Sequence, residues 1–207
     1  MISLFSGTPG SGKSYHTAMF ICNNIKYKEC VIIANFPVNL SKLRHKKGNF
    51  IYLDNSRITP QRLARFAQHY IRYMAKCKKK KVKEGDILLI LDEAQLLFNA
   101  REWNKADRSG WNWYFTTHRH FKFDVYLIAQ FDRMLDRNIR SLLEYEYIHR
   151  KIDNIGKMGK ILSLFVFGNL FIVVKKWYPM KEVIGSEFVV GHKKYYRLYD
   201  TAAIFEV

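Results

Sequence analysis

The sequence predicts an α/β protein built in layers, a mainly parallel central sheet flanked by helices, with a β-hairpin near the C-terminus. Three observations predict it. Apolar, β-branched runs alternate with helix-periodic stretches along the chain, the pattern of β-α-β units. One run, Asp86 to Leu91 (DILLIL), is densely apolar, as expected of a central parallel strand buried on both faces. Near the start, a glycine-rich stretch from Gly7 to Ser14 (GTPGSGKS) stands between a strand-like run and a helical one.

Met1 to Phe5 (MISLF) is the first strand, bounded by Ser6 and Gly7. After Lys13, Ala18, Phe20, Ile21 and Ile25 recur at helical spacing with no proline among them, so a helix follows the loop. Cys30 to Asn35 (CVIIAN) is a second strand, ended by Phe36-Pro37, and Phe50 to Leu53 (FIYL) a short third. Thr59-Pro60 opens a helix to about Cys77, since proline suits a first helical turn. The basic run Lys76 to Lys83 (KCKKKKVK) then reads as an exposed helix end and loop. Beyond DILLIL, Gln95 to Trp103 begins another helix, and WNWYFTTHRH is helix-like. Asp124 to Ala129 (DVYLIA) is a strand, followed by Gln130 and a polar helix carrying Arg133, Arg137 and Arg140; Glu144 to Arg150 is strand-like.

Ile161 to Val174 (ILSLFVFGNLFIVV) is uncharged and apolar, but shorter than the roughly 20 residues a membrane-spanning helix needs. It breaks at Gly168-Asn169, which predicts two strands joined by a two-residue turn and added to the main sheet. No internal repeat or low-complexity linker divides the chain. The expectation is one domain over 1–207, with a core at 1–150 and a hairpin-containing extension at 151–207.

Charge narrows the partners. Against 18 acidic residues stand 35 lysines and arginines, a net charge of +17, which suits a polyanion or an anionic membrane surface. Cys22, Cys30 and Cys77 are odd in number and lack metal-ligand spacing, which argues against a disulfide framework and a zinc site and for a reducing cytosol. No basic segment precedes a long apolar one at the start, so no signal peptide is expected.

The glycine-rich loop has the context of a phosphate-binding site. Its glycines let backbone N–H groups turn inward as an anion nest at a helix N-terminus. Lys13 would reach the β- and γ-phosphates and Ser14 would hold Mg²⁺. The alternative, an ordinary Gly/Ser turn, seldom has this strand–loop–helix setting. In ILLILDEAQ, Asp92 and Glu93 stand at the C-terminal end of a buried strand, where ligands bind in open α/β sheets. The first carboxylate can orient a Mg²⁺ shell and the second can polarise water, which suits hydrolysis better than transfer to an acceptor substrate. The competing reading is an acidic helix start favoured by the helix dipole. Gln130, at a strand tip, is placed to sense a γ-phosphate. Arg119 is a candidate for stabilising charge in a neighbouring subunit, although spacing alone favours a solvated helix end for His118, Arg119 and His120. The lysines at 76, 78–81 and 83, with Trp111, Trp113, Tyr114, Phe115, Arg108 and Arg119, offer charge and stacking for single-stranded nucleic acid, against surface solvation and core packing as the plainer readings.

Taken together, GTPGSGKSY near the N-terminus, ANFPV after the second strand, LDEAQLLFNAREW, and HRHFKFDVYLIAQ resemble the Zot family over about residues 1–150. These are zonula occludens toxin-like assembly proteins of filamentous phages, whose cytoplasmic domain is a P-loop ATPase related to the FtsK/HerA group. The resemblance implies an FtsK/HerA-like P-loop NTPase. Its nucleotide is ATP, bound along Gly7, Thr8, Pro9, Gly10, Ser11, Gly12, Lys13, Ser14 and Tyr15, with Mg²⁺ on Ser14 and Asp92. It further implies that Glu93 activates water, that Gln130 senses, and that Arg119, or second Arg140, is the finger. Family members use ATP to extrude single-stranded DNA coated by phage proteins through the inner membrane. The resemblance thus also implies a homo-oligomer, in the form of a ring, at the cytoplasmic face of that membrane, with DNA or nucleoprotein and phage coat or assembly proteins as partners. The family usually has glycine where this chain has Lys122. Its members commonly continue into a transmembrane helix, which implies a longer protein or a membrane-bound partner. Two other functions stay open: a soluble genome-packaging or DNA-translocating ATPase, and a nucleotide-bound docking module.

Overall fold

Strand β1 (Ile2–Ser6) runs into the glycine loop, and helix α1 (Lys13–Tyr27) leaves it. The computed structural model describes residues 1–41, 43–98, 105–154, 159, 170–196 and 198. Along them follow β2 (Val31–Ala34), β3 (Asn49–Tyr52), α2 (Pro60–Cys77), β4 (Ile87–Leu91), α3 (Lys105–Thr117), β5 (Phe123–Ile128), α4 (Arg137–Ser141), β6 (Tyr145–Lys151), β7 (Leu170–Trp177), β8 (Glu182–Val190) and α5 (Lys193–Tyr196). The strands form an eight-stranded sheet in the order β3-β2-β4-β5-β1-β6-β7-β8. The first six are parallel to their neighbours, and β7 and β8 are added antiparallel. Thus β5 lies between the loop-bearing β1 and the acidic-ended β4, and all three deliver their C-terminal ends to one edge.

Local chemistry explains the helix ends. Thr59 Oγ1 accepts the Arg62 N–H at 3.3 Å and Pro60 occupies the first turn of α2. Asp136 caps α4 by accepting the Asn138 N–H at 2.7 Å. The core has a layer on each face of the sheet. Ile87, Leu89 and Leu91 of β4 pack towards α2, α3 and α4, with Leu63, Tyr114, Phe115 and Ile139. Leu88 and Ile90 face α1, against Ala18, Ile21 and Ile25.

Several sequence expectations change here. The helix expected from Gln95 is a 3-10 turn, Ala94–Leu96, because Glu93 takes a left-handed conformation (φ 47°) and the chain closes i to i+3 bonds; residues 99–104 lie outside the described residues. The polar helix after Gln130 is split into a 3-10 turn, Asp132–Met134, and the short α4, with the Asp136 cap between them. The first strand expected at 161–167 lies outside the described residues. Its partner begins β7, and the hairpin that is observed pairs β7 with β8. Trp111, Tyr114 and Phe115 are buried in the core and are not available to stack on nucleic acid, whereas Trp113 is exposed. Removing three such rings from water gains several kcal/mol, at about 1.5–3 kcal/mol for a fully buried large side chain.

After α3 the chain turns sharply into β5. Phe121 and Lys122 donate to His118 and Arg119 carbonyls, and Lys122 sits in the left-handed region at φ 64°. This is the position where a glycine would be free of strain, which in a non-glycine residue costs about 1–3 kcal/mol. Lys122→Gly is therefore expected to raise the melting temperature by about 2–4 °C after the entropic cost of glycine is subtracted. Calorimetry checks this; a lower melting temperature contradicts it.

Candidate nucleotide-binding site

At the C-terminal edge of β1, β4 and β5 a cleft of about 410 Å³ opens, its lining including Pro9 through Ser14, Asp92, Glu93 and Gln130. Gly7 and Thr8 line a neighbouring hollow that also touches Gln130. The loop is pinned at its root, where the Gly7 N–H donates to the Gln130 carbonyl at 3.1 Å. Its glycines have separate reasons. Gly7 (φ 144°) lies so close to β6 that a Cβ would stand 2.5 Å from the His149 carbonyl. Gly12 (φ 95°) lies under Phe171, whose ring would be 2.6 Å from a Cβ. Gly10 (φ 74°) has open space, so only its backbone conformation calls for glycine.

Lys13 begins α1 and folds back over the nest, its Nζ donating to the carbonyls of Gly7 at 2.6 Å and Thr8 at 3.2 Å. Partial burial lowers its pKa, opposed by the nearby Asp92 and Glu93 carboxylates. Ser11 Oγ is buried in the loop without a hydrogen-bond partner in the protein. A cradle too tight for side chains at Gly7 and Gly12, with an ammonium and an orphaned hydroxyl, fits a phosphate chain.

Asp92 and Glu93 follow β4 to the same edge. Asn35, just beyond β2, holds them there. Its Oδ1 accepts the Asp92 N–H at 2.7 Å and its Nδ2 donates to the Asp92 carbonyl at 2.8 Å and to Asn55 Oδ1 at 2.9 Å. The side-chain amide extends the β2–β4 ladder one rung past the point where Pro37 prevents the backbone from doing so. Asp92 Oδ1 accepts the Glu93 N–H at 2.8 Å, and Gln95 Nε2 donates to Glu93 Oε2. Among the described residues no group of three or more His, Cys, Asp or Glu side chains could hold a metal. Ser14 and Asp92 line the same cleft and could supply part of a shell for Mg²⁺, an ion that keeps waters and takes phosphate oxygens.

Beneath the loop lies a buried histidine pair. His149 on β6 and His16 on α1 meet at 2.8 Å, Nε2 to Nδ1, and His149 Nδ1 lies 3.1 Å from the Ser6 carbonyl. A carbonyl only accepts, so His149 carries its proton on Nδ1 and accepts from His16 through Nε2. Burial brings His16 down to about 4; burial and the neighbouring imidazole bring His149 to about 3. His16 Nε2 lies 3.4 Å from the Glu187 carboxylate, and the pair braces β1, α1 and β6.

The structure separates Arg119 from this site. Its guanidinium pairs with Glu144 at 2.9 Å and Glu84 at 3.3 Å, residues that precede β6 and β4. That is the N-terminal edge of the parallel strands, the opposite edge from the loop. The lysine run is exposed at that same edge, with Lys80 paired to Glu29. Arg140 lies in α4, outside the cleft lining. Sequence reasoning did not identify Asn35, Gln95, His16 or His149. It also missed the aromatic end of the cleft, formed by Phe171, Tyr195 and Tyr196.

The model of the family described as Zonular occludens toxin (Zot) matches residues 1–203. Gene 1 protein of Enterobacteria phage I2-2 is 28% identical over 127 residues, 57% of this chain and 35% of that protein. The chain therefore spans about a third of that relative's length. Among solved structures, the N-terminal domain of zonular occludens toxin from Neisseria meningitidis superposes with a TM-score of 0.56 at 19% identity, covering 97% of this chain and 98% of that one. The genome packaging NTPase B204 from Sulfolobus turreted icosahedral virus 2, in complex with AMPPCP, superposes at 0.51 with 15% identity, over 90% and 95% of the two chains. The fold is that of the P-loop NTPases, with antiparallel strands added towards the C-terminus. Among the described residues no helix is long and apolar enough to cross a membrane.

Proposed function

This chain belongs to the Zonular occludens toxin (Zot) family, and from that we propose that it is a Mg²⁺-dependent ATPase whose turnover powers assembly and extrusion of filamentous phage at the inner membrane. One observation carries the reading. An anion nest, a lysine and a strand-end Asp-Glu pair, far apart in sequence, line one cleft at the sheet edge. In this reading the nest and Lys13 bind the phosphates, and Ser14 and Asp92 would hold Mg²⁺, which neutralises developing negative charge there. Glu93, steadied by Gln95, takes the proton of the attacking water, and Gln130 reports on the γ-phosphate across the β1–β5 boundary. Residues 1–207 act as one unit, since the 151–207 extension supplies one wall of the cleft.

Work on DNA and assembly in a ring are part of the same proposal. The net charge of +17 and the exposed lysine run support a polyanionic partner, namely single-stranded DNA or its nucleoprotein alongside phage coat and assembly proteins. Because Arg119 stands at the opposite edge from its own loop, it serves hydrolysis only from a neighbouring copy. Attachment at the cytoplasmic face of the host inner membrane then falls to a further segment or a membrane partner. The likeness to a genome packaging NTPase favours one second reading, a soluble DNA-translocating ATPase.

Hydrolysis by the purified chain, measured across protein concentrations with and without single-stranded DNA, tests these readings. Specific activity that rises with concentration, and is lost in Arg119→Ala while nucleotide affinity stays, is the expected result. Equal activity in Arg119→Ala removes the finger assignment. Strong DNA stimulation with no membrane component favours the soluble translocase, and tight binding without turnover under any condition favours a docking module.

A further inference from the structure

The cleft does not end where a phosphate chain would end. Beyond Lys13 it continues into a group of aromatic rings that none of the phosphate chemistry uses. Tyr15 is their centre. Phe171 of β7 stacks against it at 5.8 Å between ring centroids and 25° between planes, and Tyr196 of α5 lies at 4.8 Å and 40°. Tyr195 meets it edge-on at 5.8 Å. The Tyr15 hydroxyl donates to the Val190 carbonyl and accepts the His192 N–H, both at 2.9 Å, so it ties the segment after β8 down over the loop.

Two of these rings are ordinary core: Tyr15 and Phe171 are 5% and 6% exposed. Tyr196 is not. It is 44% exposed, stands on the cleft lip and has its inner face against Tyr15. An exposed tyrosine held over an anion nest by a dedicated hydrogen-bonded tether has a platform's geometry. The same cleft is lined by the charged groups Lys13, Asp92 and Glu93.

Resting on the reading of the loop as a nucleotide site, we propose that Tyr196, backed by Tyr15 and Phe171, is the platform on which the nucleotide's base stacks. A flat π-surface accepts any base by its face and favours the larger purines. The site is therefore a purine nucleoside triphosphate site with weak discrimination between adenine and guanine, and its selectivity is against pyrimidines.

The test compares ATP, GTP, CTP and inorganic tripolyphosphate, each with Mg²⁺, binding to the full chain, to Tyr196→Ala and to Tyr196→Phe. Stacking energies per base predict that Tyr196→Ala weakens ATP and GTP by about ten- to a hundredfold, leaves tripolyphosphate unchanged, and is rescued by Tyr196→Phe. ATP and GTP are expected to bind the parent chain within a few-fold of each other, and CTP more weakly. Unchanged ATP affinity in Tyr196→Ala overturns the platform, as does tripolyphosphate binding as tightly as ATP to the parent chain. Both results leave the phosphate site standing. Failure of the parent chain to bind either ATP or tripolyphosphate removes the phosphate site, and the platform with it.

Discussion

A Glu93→Gln chain is expected to bind ATP as tightly as the parent and to hydrolyse it about 10²–10⁴-fold more slowly, the usual contribution of a positioned general base. Glutamine keeps the size of the side chain and its contact with Gln95, so the cleft retains its shape. The backbone at Glu93 already holds a left-handed conformation stabilised by the bond from its N–H to Asp92 Oδ1, and the substitution does not alter that bond. What is lost is the basic carboxylate oxygen that takes a proton from water. Equilibrium binding and single-turnover hydrolysis measured on the same preparation separate the two quantities. Turnover within tenfold of the parent would assign the base elsewhere, and lost binding would mean that Glu93 holds the nucleotide or its metal.

Gly12→Ala is expected to lower both stability and nucleotide affinity, for two independent reasons. At φ 95° an alanine is strained by about 1–3 kcal/mol. Its Cβ would also lie 2.6 Å from the Phe171 ring, and relieving such overpacking costs about a further 1–3 kcal/mol. In a chain of this size each kcal/mol lowers the melting temperature by roughly 2–4 °C, so the loss is expected to exceed about 5 °C. Displaced loop N–H groups should weaken ATP binding at least tenfold, about 1.4 kcal/mol. Gly10→Ala is the matched control. It carries backbone strain at φ 74° but meets nothing within 4 Å, so its melting temperature should fall by about half as much. Equal losses in the two variants would show that Phe171 yields freely and does not roof the loop.

The residues that the sequence singled out and the structure brings to one cleft are those whose pattern is local. The loop glycines, Lys13 and Ser14 sit in one string, and Asp92-Glu93 ends a run so apolar that its strand has one plausible place. The residues that were missed depend on pairing. Asn35 looks like a strand terminator until β2 lies beside β4, when its amide meets the Asp92 peptide. Phe171 and Tyr196 reach the loop only because β7 and β8 fold back antiparallel onto β6. β8 itself was hard to see, since it is mostly exposed and carries Gly185 and Ser186 within it. Arg119 was legible only in part. Its string suggested a finger, while the edge of the sheet on which it lies is set by the direction of β5, which no local pattern reveals.

The central place of β1 also has a consequence for biosynthesis. Phe5 pairs with Ile128 on one side and Tyr147 on the other, so β1, translated before the other strands of the sheet, is among the last to find its partners. At about 5–20 residues per second, the ribosome needs on the order of ten seconds to deliver both neighbours. During that interval ISLFS is an unpaired apolar edge of the kind that recruits chaperones or aggregates. The glycine loop shares the delay, because its root is anchored to the Gln130 carbonyl and to the neighbourhood of His149. A nascent chain therefore carries the whole nucleotide motif without a site, and competence for phosphate arrives only when the late strands close the sheet around the early one.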